Sequence, residues 1–260
     1  MKYLEEGDFL KLLRMDPALY QAAAECGLRS FWMMAGALDA KALKIKKLSY
    51  QGPFGVGYGV VSCKVTREDV RRSFAERYEI LEKRAREERR AAEDEYVQLA
   101  RHAIETIVRT GEPAARLQGL PSEMAERAGV FVSLKKDGEL RGCIGTFEPT
   151  AKNIAEEIMK NAASAALRDP RFPPVRADEL DELVYSVDVL TEPELVGSAD
   201  DLDARRYGVI VESRGRKGLL LPDLPGVDTA EEQLRIARKK GGIPEDAAIR
   251  IWRFEVTRHV

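Results

Sequence analysis

A thiol flanked by glycines is the most reactive grouping in this sequence. Cys143 stands in Leu140-Arg141-Gly142-Cys143-Ile144-Gly145-Thr146, where the glycines allow a ligand close to the backbone. Arg141, two residues earlier and so on the same strand face, sets a cation beside the thiol, an arrangement that favours a thiolate nucleophile or an anion site. The plainer reading is a small buried residue on a central strand with Arg141 at an edge, because no histidine near in sequence offers a base. Arg171 lies in Asp169-Pro170-Arg171-Phe172-Pro173-Pro174-Val175, so prolines hold its guanidinium on a stiff loop, as a carboxylate clamp requires. The competing account has Asp169 and Arg171 fixing that loop internally. Lys240, with Arg238 and Lys239 beside it, either extends an anion surface or offsets the dipole of a helix that ends there. The residues thus suggest an anion-binding cleft, with Cys143, Arg141 and Arg171 as catalytic candidates and Asp169 and Lys240 as binding residues.

Composition limits what else the chain does. Its 260 residues carry 42 Lys plus Arg against 44 Asp plus Glu, a net charge of -2, so no global field argues for nucleic acid, and only a local patch is left open. Only His102 and His259 are present, which argues against an iron site of two histidines and one carboxylate. Cys26, Cys63 and Cys143 are too scattered for a disulfide framework or a zinc site and fit reduced thiols in a cytoplasm. The start, MKYLEEGDFLKLL, is acidic where a signal peptide is basic. The longest uncharged run, Leu48 to Cys63, is shorter than the ~18 residues of a spanning helix, so no membrane is expected.

The elements that must position these residues fall into three blocks: 1–65, a charged helical linker at 66–95, and 96–260. In the first, SYQGPFGVGYGVVSCKV reads as a turn followed by a strand. Its glycines 55, 57 and 59 miss the dinucleotide fingerprint, because Val60 stands where the third glycine belongs. In the second, Thr66 with Asp69 predicts a capping box, and pairs such as Lys83 with Glu87 predict one long solvated helix. The third alternates helix and strand signals. Asp137-Gly138 predicts a hairpin between VFVSL and ELRGCIGTF, and SRGRKG a second one between YGVIVE and KGLLL. Helices are expected near 99–108, over 151–167, and from an Asp228/Glu231 cap to Gly241-Gly242, with LVYSVDVL and AIRIWRFEV as further strands. The fold class is therefore α+β, an antiparallel sheet with flanking helices.

The third block resembles the AMMECR domain family, whose signature hairpin strand is carried here by residues 140–146. Supporting matches are DPRFPPV, SVDVLTEPELV and the run from Tyr207 to Ile243, with Gly241 as a departure where the family more often has Ala. PDLPGVDT and RFEVTR resemble the prokaryotic branch, protein A of the AmmeMemoRadiSam system. That resemblance implies partnership with a Memo-like dioxygenase homologue and a radical S-adenosylmethionine protein, in a family without an established activity. The alternatives are an enzyme component or a ligand- or nucleic-acid-binding regulatory module.

The first block resembles the carboxy-terminal end of a class III extradiol dioxygenase, related to Memo-like proteins, through Glu25-Cys26-Gly27, Trp32, Gly36-Ala37-Leu38 and the stretch 49–59. The resemblance makes Glu25 a remnant carboxylate ligand of iron whose two histidine partners belong far upstream. No cofactor is therefore expected here, and iron only where a longer native chain supplies those histidines, with Met1 as an internal methionine of that fusion. An incomplete α/β fragment of this kind would leave Phe31, Trp32, Met33, Met34 and Phe54 without partners. It would then be loosely ordered, or packed on the other domain or on a second copy in a homo-oligomer.

Overall fold

Residues Met1–Ala91 gather their apolar side chains into a core of their own, distinct from that of Ala92–Val260. The structure is a computed structural model that describes residues 1–23, 26–52, 56–224 and 226–260. Glu25 and Phe54 lie outside the described residues.

The first unit runs through α1 (Lys2–Glu6), α2 (Phe9–Leu13), α3 (Pro17–Ala22) and α4 (Leu28–Ala37) into an antiparallel pair, β1 (Lys41–Gln51) and β2 (Tyr58–Glu68), and ends in α5 (Phe74–Ala92). Leu4, Phe9, Leu12, Leu28, Ala35 and Phe74 are buried together, with Phe31, Trp32 and Met34 packed against them. The Trp32 indole donates to the Leu12 carbonyl at 3.1 Å. The expected lack of partners is thus corrected for Phe31, Trp32 and Met34, because Phe74 of α5 and the helices around it supply their packing. Met33 stays 71% exposed.

The expected cap at Thr66 is also corrected. Thr66 is still in β2, donating its hydroxyl to the Ala42 carbonyl at 3.0 Å. The helix begins eight residues later, where Asp39 accepts from the backbone N–H groups of Phe74 and Ala75 at 2.8 and 3.3 Å. A cap supplied from so far away leaves no local signal. Along α5 the pair Lys83–Glu87 is 4.0 Å apart and well exposed, a solvated contact that adds little stability.

The second unit opens with α6 (Glu95–Thr110), capped by Asp94, which accepts from Tyr96 and Val97. Then follow β3 (Val130–Lys136), β4 (Glu139–Thr146), α7 (Ile154–Leu167), β5 (Val184–Leu190), β6 (Glu194–Val196), β7 (Gly208–Ser213), β8 (Arg216–Leu220), α8 (Ala230–Gly241), β9 (Arg250–Phe254) and β10 (Val256–His259). The chain is a mixed α+β protein with antiparallel sheets. Both expected hairpins form, turning at Asp137-Gly138 and Arg214-Gly215 with positive φ at all four residues.

The expected single sheet is two: β10-β5-β3-β4 and β6-β9-β7-β8. The closing segment divides at Glu255, so that β9 joins one sheet and β10 the other. Thr191 holds that division, its N–H donating to the Glu255 carbonyl at 3.0 Å and its hydroxyl oxygen accepting from the Glu255 N–H at 2.9 Å. Neither glycine nor proline marks the place.

Val130, Val132, Leu134, Tyr185 and Val187 of the first sheet pack with α6 and α7, while Val209, Val211 and Leu220 of the second pack with Ala237 of α8. By strand alternation the opposite faces meet, joining Phe131 and Leu190 to Ile210, Trp252 and Phe254. The layers run helices, sheet, sheet, helix.

Thr229, not Asp228, caps α8, accepting from the Glu232 N–H at 3.2 Å, while Asp228 lies 3.4 Å from Arg205 in an exposed pair. Thr229→Ala is expected to cost about 1 kcal/mol in urea unfolding, and Asp228→Ala less than about 0.5 kcal/mol. Equal losses would return the cap to Asp228. Among the described residues no helix is long and apolar enough to cross a membrane.

Candidate functional site

Gly142 faces α7, so close that a Cβ there would lie 2.4 Å from the Ala165 carbonyl oxygen. Alternation then turns Cys143 to the other side of the sheet, toward the second sheet. Cys143 is half-buried opposite Ser133, whose hydroxyl donates to its Sγ at 3.2 Å.

The loop after α7 is tied to this residue. Asp169, nearly fully buried, accepts from the Cys143 N–H at 2.9 Å. It also accepts from Arg171: from the backbone N–H at 3.0 Å, from Nε at 2.9 Å and from Nη2 at 2.7 Å. Nη2 of Arg171 donates in addition to the Cys143 carbonyl at 3.0 Å. The Arg171 hydrogen bonds, with those from the Cys143 and Arg171 backbone, outweigh burial and hold the Asp169 carboxyl well below the usual carboxylate range. Arg171 therefore fixes the loop internally, and its side chain is still 54% exposed beside Cys143.

Arg141 is placed elsewhere. Leu134 pairs with Gly142 and Lys135 with Leu140, so Arg141 is the extra residue of a bulge, and the same-face expectation lapses there. Its guanidinium grips Glu179 through Nε and Nη2, both at 3.0 Å, and donates to the Pro173 carbonyl at 2.9 Å. It braces the loop that follows Arg171. Lys240 lies in the last turn of α8, which packs on the far side of the second sheet, away from the face that meets Phe131. Glu25 lies outside the described residues.

Asp188 and Arg258 carried no expectation, yet they stand on the same sheet face as Cys143. Across the sheet, Gly145, Phe131, Asp188 and Arg258 form one row, and Cys143, Ser133 and Ser186 the next. Asp188 is buried and accepts from Arg258 Nε and Nη2 at 2.7 and 2.9 Å. Arg258 thus shares a sheet face with Cys143, while Arg171 bonds to the Cys143 carbonyl. An aspartate between the valines of SVDVL was the available signal.

Glu157 was missed too, though it interrupts the apolar stripe of α7. Fully buried, it accepts from the hydroxyls of Thr146 and Thr150, both at 2.7 Å, and from the N–H groups of Thr150 and Ala151 at 2.7 and 2.5 Å. Burial pushes its carboxyl up, and these hydrogen bonds more than reverse that, leaving it below the usual glutamate value. The segment leaving β4 is thereby pinned.

Neither histidine serves Cys143. His259 lies on the helix-facing side, opposite Val187, with Nδ1 2.5 Å from Asp94 and its ring stacked on Tyr96 at 3.8 Å. His102 Nε2 is 3.1 Å from the Ala115 carbonyl. Both histidines are therefore engaged within the second unit. Cys143 is thus surrounded by two Asp–Arg pairs, Asp169 with Arg171 and Asp188 with Arg258, and by Ser133, and neither histidine is among these neighbours.

The AMMECR1 family matches residues 97–259, the stretch that holds every described residue of the site, and does not extend into the first unit. A Clostridium acetobutylicum protein is 44% identical over 258 residues, 98% of this chain and 54% of that protein, so the chain spans about half the length of that relative. A Thermotoga maritima protein is 54% identical over 170 residues, 64% of this chain and 98% of that one. The crystal structure of the uncharacterized protein PH0010 from Pyrococcus horikoshii is similar at 36% identity and a TM-score of 0.58, over 63% of this chain and 88% of that one. The chain belongs to the AMMECR1 family.

Proposed function

We propose that the AMMECR1 domain holds a small anionic ligand, a carboxylate by preference, against Cys143, between the guanidinium groups of Arg171 and Arg258. The observation that carries this reading is Arg171, locked by buried Asp169 onto the Cys143 backbone yet half open to solvent. A guanidinium held through Nε and Nη2 keeps its Nη1 donors, already ordered, for a ligand carboxylate. In this reading the domain is a component of an enzyme system, and the partners implied by its motifs are a Memo-like dioxygenase homologue and a radical S-adenosylmethionine protein. A cytoplasmic site of action accords with the free thiols of Cys26, Cys63 and Cys143.

The dioxygenase-like reading of residues 1–65 rests on its own motifs. The match to the longer clostridial protein covers 98% of the chain and so runs through this segment, without assigning it to a family.

Alkylation with iodoacetate and iodoacetamide, read by peptide mass, tests the site. Cys143 is expected to favour the anionic reagent, relative to exposed Cys26, by about tenfold, and Arg171→Met is expected to remove that preference. Cys63, whose thiol burial pushes up, gives the slow reference. A preference untouched by Arg171→Met overturns the anion site. If Cys143 reacts no faster than Cys63 with either reagent, thiol chemistry is ruled out and a binding module remains.

A further inference from the structure

The β1–β2 ribbon carries a charge pattern that stability alone does not explain. Leu43, Ile45 and Val61 turn toward the core of the first unit, so alternation puts Lys44, Lys46, Lys64 and Arg67 on the opposite face, all exposed. Lys44 is directly opposite Lys64, and Arg67 is opposite Ala42 in the same sheet. Like charges facing each other across a ladder are destabilising, and the nearby acids are turned to other cations. Glu68 binds Lys41 at 3.0 Å, Asp69 binds Arg71 at 3.2 Å, and Glu5 binds Lys47 at 2.8 Å. Beyond the cations, β2 continues the same face through Ser62 and Val60 to Tyr58, which is 62% exposed.

We infer that this outward face binds single-stranded nucleic acid, its phosphates tracking Arg67, Lys64, Lys44 and Lys46 and a base stacking on Tyr58. Cations alone would suit any polyanion. An exposed ring on the same sheet face is what unpaired bases use, whereas a duplex keeps its bases stacked on one another. The net charge of -2 makes the attraction local to this ribbon, so affinity depends on these side chains rather than on the field of the whole chain.

The test is fluorescence anisotropy of the full chain with labelled oligo(U) and oligo(dT) of about 15 nucleotides, between about 50 and 200 mM salt. Binding is expected at the lower salt and to fall steeply with salt. Lys44→Glu with Lys64→Glu is expected to weaken it at least about tenfold, and Tyr58→Ala about fivefold without changing the salt dependence. Lys46→Glu with Arg67→Glu serves as an independent pair, and circular dichroism confirms that each variant is folded. No binding at low salt overturns the inference, as does unchanged affinity in both charge-reversed pairs. Equal binding of duplex DNA or phosphatidylserine vesicles, with Tyr58→Ala neutral, overturns it in favour of nonspecific polyanion adhesion.

Discussion

Gly218→Ala is expected to lower unfolding stability by about 3 kcal/mol or more, among the largest losses any single methyl could cause in this fold. A Cβ on Gly218 would lie 1.9 Å from the Ala237 carbonyl oxygen and 2.8 Å from the Gly241 nitrogen. Both are backbone atoms of α8, so no rotamer change relieves the clash. The helix must move away from β8, and Val209, Val211 and Leu220 then lose packing against Ala237. Gly241 meets the same seam from the helix side, where a Cβ would sit 2.8 Å from the Gly218 nitrogen. Gly197, with no atom within 4 Å of its virtual Cβ and no positive φ, is the control, and its alanine variant should stay within about 0.5 kcal/mol of the parent. Urea midpoints at unchanged slope measure both. A Gly218→Ala protein as stable as Gly197→Ala would mean that α8 does not sit so closely on β8.

The first sheet uses the same device at Gly142, against Ala165 of α7, and there it adjoins the site. The glycine next to Cys143 therefore has a packing reason, and the sequence reading of glycines as room for a ligand was directed at the wrong neighbour. Legibility followed the range of the interaction. Asp137-Gly138 and SRGRKG announced their hairpins because turn geometry is set by adjacent residues. The account in which Asp169 and Arg171 fix their loop internally is legible because the partners are two residues apart. Arg141 misled because a bulge, which depends on the partner strand, changes which face a residue occupies. Asp39 capping α5, Arg258 on Asp188 and the division at Glu255 depend on residues 35, 70 and 64 positions apart, and short-range patterns carry nothing about them.

Glu157→Gln is expected to cost about 3 kcal/mol at neutral pH and to flatten the acid limb of the stability curve. Glu157 accepts four hydrogen bonds in a fully buried position, two from hydroxyls and two from backbone N–H groups. A carboxamide has one accepting oxygen, and its NH2 must face donors. The Thr150 and Ala151 N–H groups, both bonded to Oε2, are the pair most exposed to that conflict. Because the folded carboxyl lies below the usual glutamate value near 4.5, its contribution is complete above that value. It is lost as pH falls through the lower folded value, where the native protein must take up a proton. Urea unfolding from about pH 7 to pH 3 should therefore show parent and variant far apart near neutrality and converging in acid. Asp169 is depressed in the same direction and remains in both proteins, so some acid sensitivity persists in the variant. A gap that stays constant with pH would mean that the loss is one of packing alone. Convergence would identify the ionised carboxylate as what ties Thr146, Thr150 and Ala151 to α7, and with them the strand end that carries Cys143.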